Sequence, residues 1–227
     1  YISNLGSVAN KTFHCDFDKD SKSDILVLTK ARDSLIILRN NSTLSSMSLT
    51  NVKKLFPLSK VNSIKIADLN GDGLMDIAAL SRDSNKIYFF KNISTFGNIN
   101  FDTCLSFTID ANASDFEIVD LDNDFKEDLI ICHSNSTSNY FSCYRNISSN
   151  VFSFQTKITF SCSANSEFIK AYKMNNDNSF DLVITNSING TIEYFENSTA
   201  TINNFNFTSP QNVFIDSSRI IDFSLYR

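Results

Sequence analysis

Four stretches of this chain align with one another about 52 residues apart, and such a period commits a sequence to stacked copies of one structural unit. The copies are CDFDKDSKSDILVL from Cys15, ADLNGDGLMDIAAL from Ala67, VDLDNDFKEDLIIC from Val119 and YKMNNDNSFDLVIT from Tyr172. Their anchor positions are Asp16, Asp68, Asp120 and Lys173, and a fifth start, IIDFSLYR, has Asp222 at the anchor. The residue after each anchor is apolar: Phe17, Leu69, Leu121, Met174 and Phe223. A short apolar run follows each acidic loop, at Ile25–Leu28, Ile77–Leu80, Leu129–Cys132 and Leu182–Ile184. A second run then ends in Asn in every copy, in SLIILRN, KIYFFKN, YFSCYRN and TIEYFEN. The repeats span about 12–63, 64–115, 116–168 and 169–217, within a single domain; residues 218–227 begin a fifth unit or supply a ring-closing strand.

These runs are short, rich in β-branched and aromatic residues, and bounded by Asn, Asp and Ser, which is the pattern of strands and turns. No stretch of ten or more residues carries a 3.6-residue period. With a third β-like stretch such as FDTCLSFTID, each unit reads as about four antiparallel strands. The expected fold is all-β: a β-propeller of about four four-stranded antiparallel blades, either a closed four-bladed ring or part of a larger or open array.

The loops that open the repeats carry the chemistry. Side-chain oxygens fall at offsets 0, 2, 4 and 8 from the anchor in three copies. The sets are Asp16, Asp18, Asp20 and Asp24; Asp68, Asn70, Asp72 and Asp76; and Asp120, Asp122, Asp124 and Asp128. Calcium takes six to eight hard oxygen ligands in flexible geometry, and the variable offset-6 residue (Lys22, Leu74, Lys126) suits a main-chain carbonyl ligand. Solvated acidic turns are the plain alternative, because Asp and Asn favour turns. Three crowded loops in register favour an ion, since that much like charge repels itself without one. An EF-hand needs Glu at loop position 12, where Val27, Ala79 and Ile131 stand. The fourth loop has Lys173 at the anchor and keeps Asn175, Asp177 and Asp181; it is expected to be empty, with Lys173 neutralising Asp177 or Asp181. About three Ca²⁺ would move the net charge from −5 to about +1.

The pattern resembles the FG-GAP/VCBS repeats known from integrin α subunits and bacterial VCBS proteins, over about residues 12–225. ADLNGDGLMDIAAL is similar to that family's loop and strand, while the other copies lack its glycines. The resemblance implies a β-propeller with calcium in the loop between the first two strands of each blade. It implies no particular ligand.

Asn-X-Ser/Thr occurs at Asn10, Asn40, Asn41, Asn92, Asn112, Asn135, Asn146, Asn189, Asn197 and Asn206. Asn40/Asn41, Asn92, Asn146 and Asn197 share one place in each repeat, just after the third expected strand. They read either as glycan acceptors along one edge of every blade or as Asn kept for turn geometry. Calcium loops and sequons together point outside the cell. The chain starts at Tyr1 and shows no signal peptide, so a targeting segment is expected beyond view. No apolar run approaches the roughly 18 residues of a membrane helix. With a net charge of −5 and no Lys/Arg cluster, a nucleic-acid partner is not expected.

Of five cysteines, Cys132 and Cys143 flank one hairpin turn, as a disulfide or as two small buried hydrophobes; Cys15, Cys104 and Cys162 have no assigned partner. His14 and His133 match no metal motif. Phe90, Tyr144 and Phe195, at equivalent strand positions, are expected in the core. No catalytic constellation stands outside the acidic loops, so an enzyme is not expected. The expected role is a structural subunit of a surface or filamentous assembly, partnered by its own copies or by other extracellular proteins and glycans. Strand-like residues 1–13 and 213–227 would add to a neighbouring subunit. The alternative is an adhesion or receptor head that binds a protein or glycan on a propeller face.

Overall fold

The computed structural model describes residues 8–55, 59–134, 140–163, 165–186, 190–201 and 204–214. The sequons at Asn135 and Asn189, the fifth anchor and residues 218–227 lie outside these.

Every described strand belongs to one of four antiparallel meanders. The first holds β1 (Ala9–Cys15), β2 (Asp24–Thr29), β3 (Leu35–Asn40) and β4 (Leu49–Leu55). The second holds β5 (Ser63–Ala67), β6 (Asp76–Ser81), β7 (Lys86–Phe90) and β8 (Leu105–Thr108). The third holds β9 (Ala113–Val119), β10 (Asp128–His133), β11 (Tyr140–Tyr144) and β12 (Ile158–Ser161). The fourth holds β13 (Ser166–Tyr172), β14 (Asp181–Asn186), β15 (Thr191–Phe195) and β16 (Gln211–Phe214). Each sheet is paired in simple sequence order. No helix long and apolar enough to span a membrane occurs among the described residues.

The apolar run after each acidic loop becomes the second strand of its sheet. β6, β10 and β14 are buried at every residue, so both sheet faces demand apolar or satisfied side chains there. That explains continuous runs in place of alternation. The fourth strand of the second and third sheets is mostly exposed. Phe90, Tyr144 and Phe195 are buried, as their periodic placement predicts.

The strands fall into two compact units: β1–β8, and β9–β16 together with residues 69–71. The core of the first packs Phe17, Leu26, Leu28, Ile37, Ile77 and Phe90. The core of the second packs Leu121, Ile130, Cys132, Phe141, Cys143 and Phe195. There Phe141 meets Phe195 edge-on, with centroids 5.0 Å apart.

The strand register decides the cysteine question. Cys132 pairs with Phe141 and Cys143 with Ile130, so the two sulfurs occupy a diagonal rather than a directly opposed pair. Diagonal neighbours lie about 7–8 Å apart, beyond the usual reach of a disulfide. Both are free thiols buried in the core, as are Cys15, Cys104 and Cys162 at half-buried sites. His14 is exposed, whereas His133 is buried, bonded to Ala111 O and Ser142 Oγ, with its ring 4.8 Å from that of Tyr140.

Candidate metal centre

Each acidic loop joins the first two strands of its sheet, and its own carboxylates build it. The anchor side chain receives two main-chain N–H groups from across the turn. Asp16 accepts from Asp20 N and Ser21 N, Asp68 from Asp72 N and Gly73 N, and Asp120 from Asp124 N and Phe125 N. The offset-4 carboxylate then accepts the offset-6 N–H: Lys22 N to Asp20, Leu74 N to Asp72, Lys126 N to Asp124, each at 2.9 Å. Two residues of the turn take left-handed backbone. Gly71 and Gly73 do so in the second loop, Lys19 and Ser21 in the first, Asn123 and Phe125 in the third.

The offset-8 Asp is a staple. Asp24, Asp76, Asp128 and Asp181 are fully buried. Asp24 accepts Phe17 N and Asn40 N; Asp128 accepts Leu121 N and Asn146 N; Asp181 accepts Met174 N and Asn197 N. It thus ties the start of the loop to the end of the third strand.

The structure gathers carboxylate oxygens of Asp16, Asp18 and Asp24 in the first loop, and of Asp120, Asp122 and Asp124 in the third, within 4.8 Å of one another. Oxygens bound to one Ca²⁺ at about 2.4 Å can lie no further apart than about 4.8 Å. Asp20 and Asp128 stand outside these triplets. Burial pushes the Asp24 carboxyl above its ordinary range, with Asp18 and Asp20 adding to the shift. Burial does the same to Asp124 and, most of all, to Asp128, which rises to about 7 with the charges of Asp122 and Asp124 behind it. Hard oxygen donors crowded until some resist ionisation fit a divalent cation such as calcium.

The strand-end residue before each in-register Asn also reaches the loop. Arg39 bonds Asp18 and Asp20, both at 2.6 Å; Arg145 bonds Asp122 at 2.7 Å and also Asp124; Lys91 lies 3.6 Å from Asp72. The sequence reading missed these contacts.

In the fourth loop Asn175 Nδ2 donates to Asp177 and to Glu196. Lys173 does not neutralise Asp177 or Asp181; its ammonium lies over the Phe180 ring, 5.0 Å from the centroid. An exposed lysine gains more from an aromatic face than from turning toward a buried, already bonded Asp181.

The in-register sequons are framework. Asn92, Asn146 and Asn197 are buried, at 0%, 1% and 2% exposure. The two amide protons of each are spent on carbonyls: Phe17 and Met75, Leu69 and Glu127, Leu121 and Phe180. One acceptor of each pair belongs to the residue after the previous repeat's anchor. The amide oxygens accept Ser94 N, Ser148 N and Thr199 N, and those hydroxyls close the next turn. A sugar on Nδ2 has neither a spare proton nor space there. This overturns the glycan reading at these three positions. Asn40 and Asn41 are half-buried; Asn40 gives Nδ2 to Ser23 O, and Asn41 bonds Thr50 and Arg39. Asn112 is half-buried with left-handed backbone, while Asn10 and Asn206 are exposed.

A family model described as FG-GAP-like repeat matches residues 16–79 and 68–131, together about half of the chain. None of the curated proteins matches the sequence. Solved structures do match, among them a chain in the crystal structure of BBS1N in complex with ARL6DN, soaked with lead. The TM-score is 0.52 at 9% identity, and the match covers 81% of this chain and 52% of that one. This chain therefore spans about half the length of that relative, and the likeness concerns fold alone. Four-stranded antiparallel meanders in tandem, the repeat match and this likeness place the chain in the β-propeller class.

Proposed function

The chain belongs to the FG-GAP-like repeat family, and from that premise we propose that it is an extracellular, calcium-binding structural protein. About three Ca²⁺ would be held, one in each of the first three loops. The ligands would be Asp16, Asp18, Asp20 and Asp24; Asp68, Asn70, Asp72 and Asp76; and Asp120, Asp122, Asp124 and Asp128. The main-chain carbonyls of Lys22, Leu74 and Lys126 would join them. The observation that carries this reading is the pair of carboxylate triplets with ligand spacing in the first and third loops. Calcium supplies the positive charge these turns lack and thereby stiffens the link between the first two strands. Exposed turns of this kind suit the high calcium of extracellular fluid, where modules bind at about 10⁻⁴–10⁻³ M. Surface glycans would sit at the exposed Asn10 or Asn206 and not on the buried framework asparagines.

The role we assign is that of a building block, not of a catalyst, and its partners are copies of itself or other extracellular proteins. Calorimetric titration with Ca²⁺, with Mg²⁺ as control, tests the ion; no calcium heat up to 10⁻² M, beyond the extracellular range, would overturn the calcium reading. Light scattering and negative-stain images with and without Ca²⁺ test assembly, and a monomer at every concentration would refute it. A second reading, an adhesion head for a protein or glycan, draws support from apolar side chains exposed at loop tips: Leu44 and Phe96 in one unit, Phe125 in the other. A calcium-dependent hit on a glycan or protein array would favour it.

A further inference from the structure

We infer that the basic residue preceding the in-register Asn is a positioning residue for the metal loop: Arg39 and Arg145 hold the ligand carboxylates when no ion is bound, and their charge weakens calcium binding. The inference rests on the calcium reading above and concerns what sets the affinity of those sites.

Three observations carry it. First, the geometry is a fork across the ligands. Arg39 spans Oδ2 of Asp18 and Oδ2 of Asp20, while Arg145 spans Oδ2 of Asp122 and Oδ2 of Asp124. A planar guanidinium fixes the separation of two carboxylates as no single point charge can. Second, both forks are shielded, with side-chain exposures of 17% for Arg39 and 12% for Arg145 against 0% for Asp18 and Asp122. They are not loose surface pairs. Third, the residue changes with the charge of its loop. Loops with four carboxylates carry Arg39 and Arg145; the loop with three carries Lys91, at 3.6 Å from Asp72. In the fourth copy, where Lys173 takes the anchor, the same position is Glu196. A residue kept only for packing has no reason to invert its charge together with the anchor.

In the first loop the fork occupies one oxygen of each ligand. Oδ1 of Asp18 accepts Asp20 N and Oδ1 of Asp20 accepts Lys22 N, so each retains lone pairs toward an ion. The guanidinium thus does half of calcium's work in advance. It relieves carboxylate repulsion in the metal-free protein, then opposes the incoming dication. A unit charge about 6 Å from a double charge in water weakens binding on the order of tenfold.

Two substitutions separate the effects. Arg145→Gln removes charge and fork; Arg145→Lys keeps the charge and loses the fork. Each is compared with the parent by melting in EDTA and in saturating Ca²⁺, and by calorimetric calcium titration. For Arg145→Gln, Tm in EDTA should fall by about 5 °C, the fall in Ca²⁺ should be smaller, and the Kd of one site, that of the third loop, should tighten on the order of tenfold. Arg145→Lys should lose Tm in EDTA with Kd near the parent value. Equal Tm losses in both conditions with an unchanged or weaker Kd in Arg145→Gln would overturn the inference. If that variant does not fold, Arg39→Gln in the other unit decides by the same criteria. A parent protein that binds no Ca²⁺ would instead overturn the calcium reading itself.

Discussion

Asn146 gives the sharpest test of the framework, because two incompatible roles meet on one nitrogen. Its Nδ2 donates to Leu69 O and Glu127 O, both at 2.9 Å, and its Oδ1 accepts Ser148 N at 2.8 Å. Asn146→Ala strands two carbonyls and one N–H in a site 1% exposed. Each buried group left unpaired costs about 1–3 kcal/mol, and partial relaxation brings the total to about 3–5 kcal/mol. For a chain of this size each kcal/mol is worth about 2–4 °C, so Tm should drop by roughly 10 °C. The assay is chemical and thermal denaturation of protein made in bacteria, which carries no N-glycan. A structural amide predicts the full loss in this sugar-free material, and a loss of only about 1 kcal/mol for Ser148→Ala, whose hydroxyl makes peripheral turn bonds. A glycan acceptor predicts the reverse: both variants innocuous in bacteria, and both equally stripped of sugar in eukaryotic cells. Wild-type stability of Asn146→Ala in bacterial protein, or a glycopeptide from eukaryotic cells carrying an N-acetylhexosamine on Asn146, would refute the reasoning.

Three further outcomes follow from the same geometry. In EDTA, Asp128 is held protonated to about pH 7 while its unfolded counterpart ionises near 3.9, so its contribution to stability is full below about pH 4 and is lost as pH rises toward 7. That amounts to up to about 4 kcal/mol; Tm of the parent relative to Asp128→Asn should fall between about pH 4 and 7 in EDTA, and Ca²⁺ should abolish the trend. Phe125, 97% exposed at φ 67°, stands where the second loop has Gly73, so Phe125→Gly should stabilise by about 1 kcal/mol in denaturant melts. The converse Gly73→Ala should destabilise, because the turn holds this residue at φ 81°, where an L side chain is strained; the flexible Lys19 Nζ, 3.0 Å from the added Cβ, can move aside. Burial pushes the Cys15 and Cys104 thiols up to about 11 and those of Cys132 and Cys143 higher still, so native protein should react slowly with thiol reagents at pH 8. Reductant should leave Tm unchanged; a fall of several degrees would reinstate a crosslink.

The repeat, the strand content and the acidic loops were legible because their signals are local. Apolar runs and alternating carboxylates each need fewer than fifteen neighbouring residues to be seen, and the period follows from comparing such stretches along the chain. What was not legible depended on partners far along the chain. Asn92 meets Phe17 O across 75 residues and Asn146 meets Leu69 O across 77, so an Asn-X-Ser tripeptide reads identically as a glycan acceptor or as a tie between repeats. The Arg39 and Arg145 forks left a visible trace, a basic residue before Asn in three of four copies, but only the strand register shows where the guanidinium goes. The cysteine pair failed for a related reason. Which residue faces which across a hairpin follows from the turn, and a shift of two positions separates a disulfide from two core hydrophobes.

The fourth repeat separates two jobs that the other three combine. It has lost the anchor carboxylate to Lys173, yet Asp181 still accepts Met174 N and Asn197 N, and Asn197 still reaches back to Leu121 O. The offset-8 Asp and the in-register Asn are therefore kept where the set of ion ligands is incomplete, which marks them as the frame. The anchor is what changes, together with the charge of the strand-end residue, while offset-4 stays Asp in all four copies and Asn175 at offset-2 matches Asn70. On that division, a calcium ion is not needed to define the sheet: the staple and the inter-repeat amide already do so. What an ion adds is stability to a turn that fails to neutralise itself. Loops one and three, with four carboxylates against a single guanidinium, should gain most from it, and loop four, where Asn175 and Glu196 already close the hydrogen-bond set, should gain nothing.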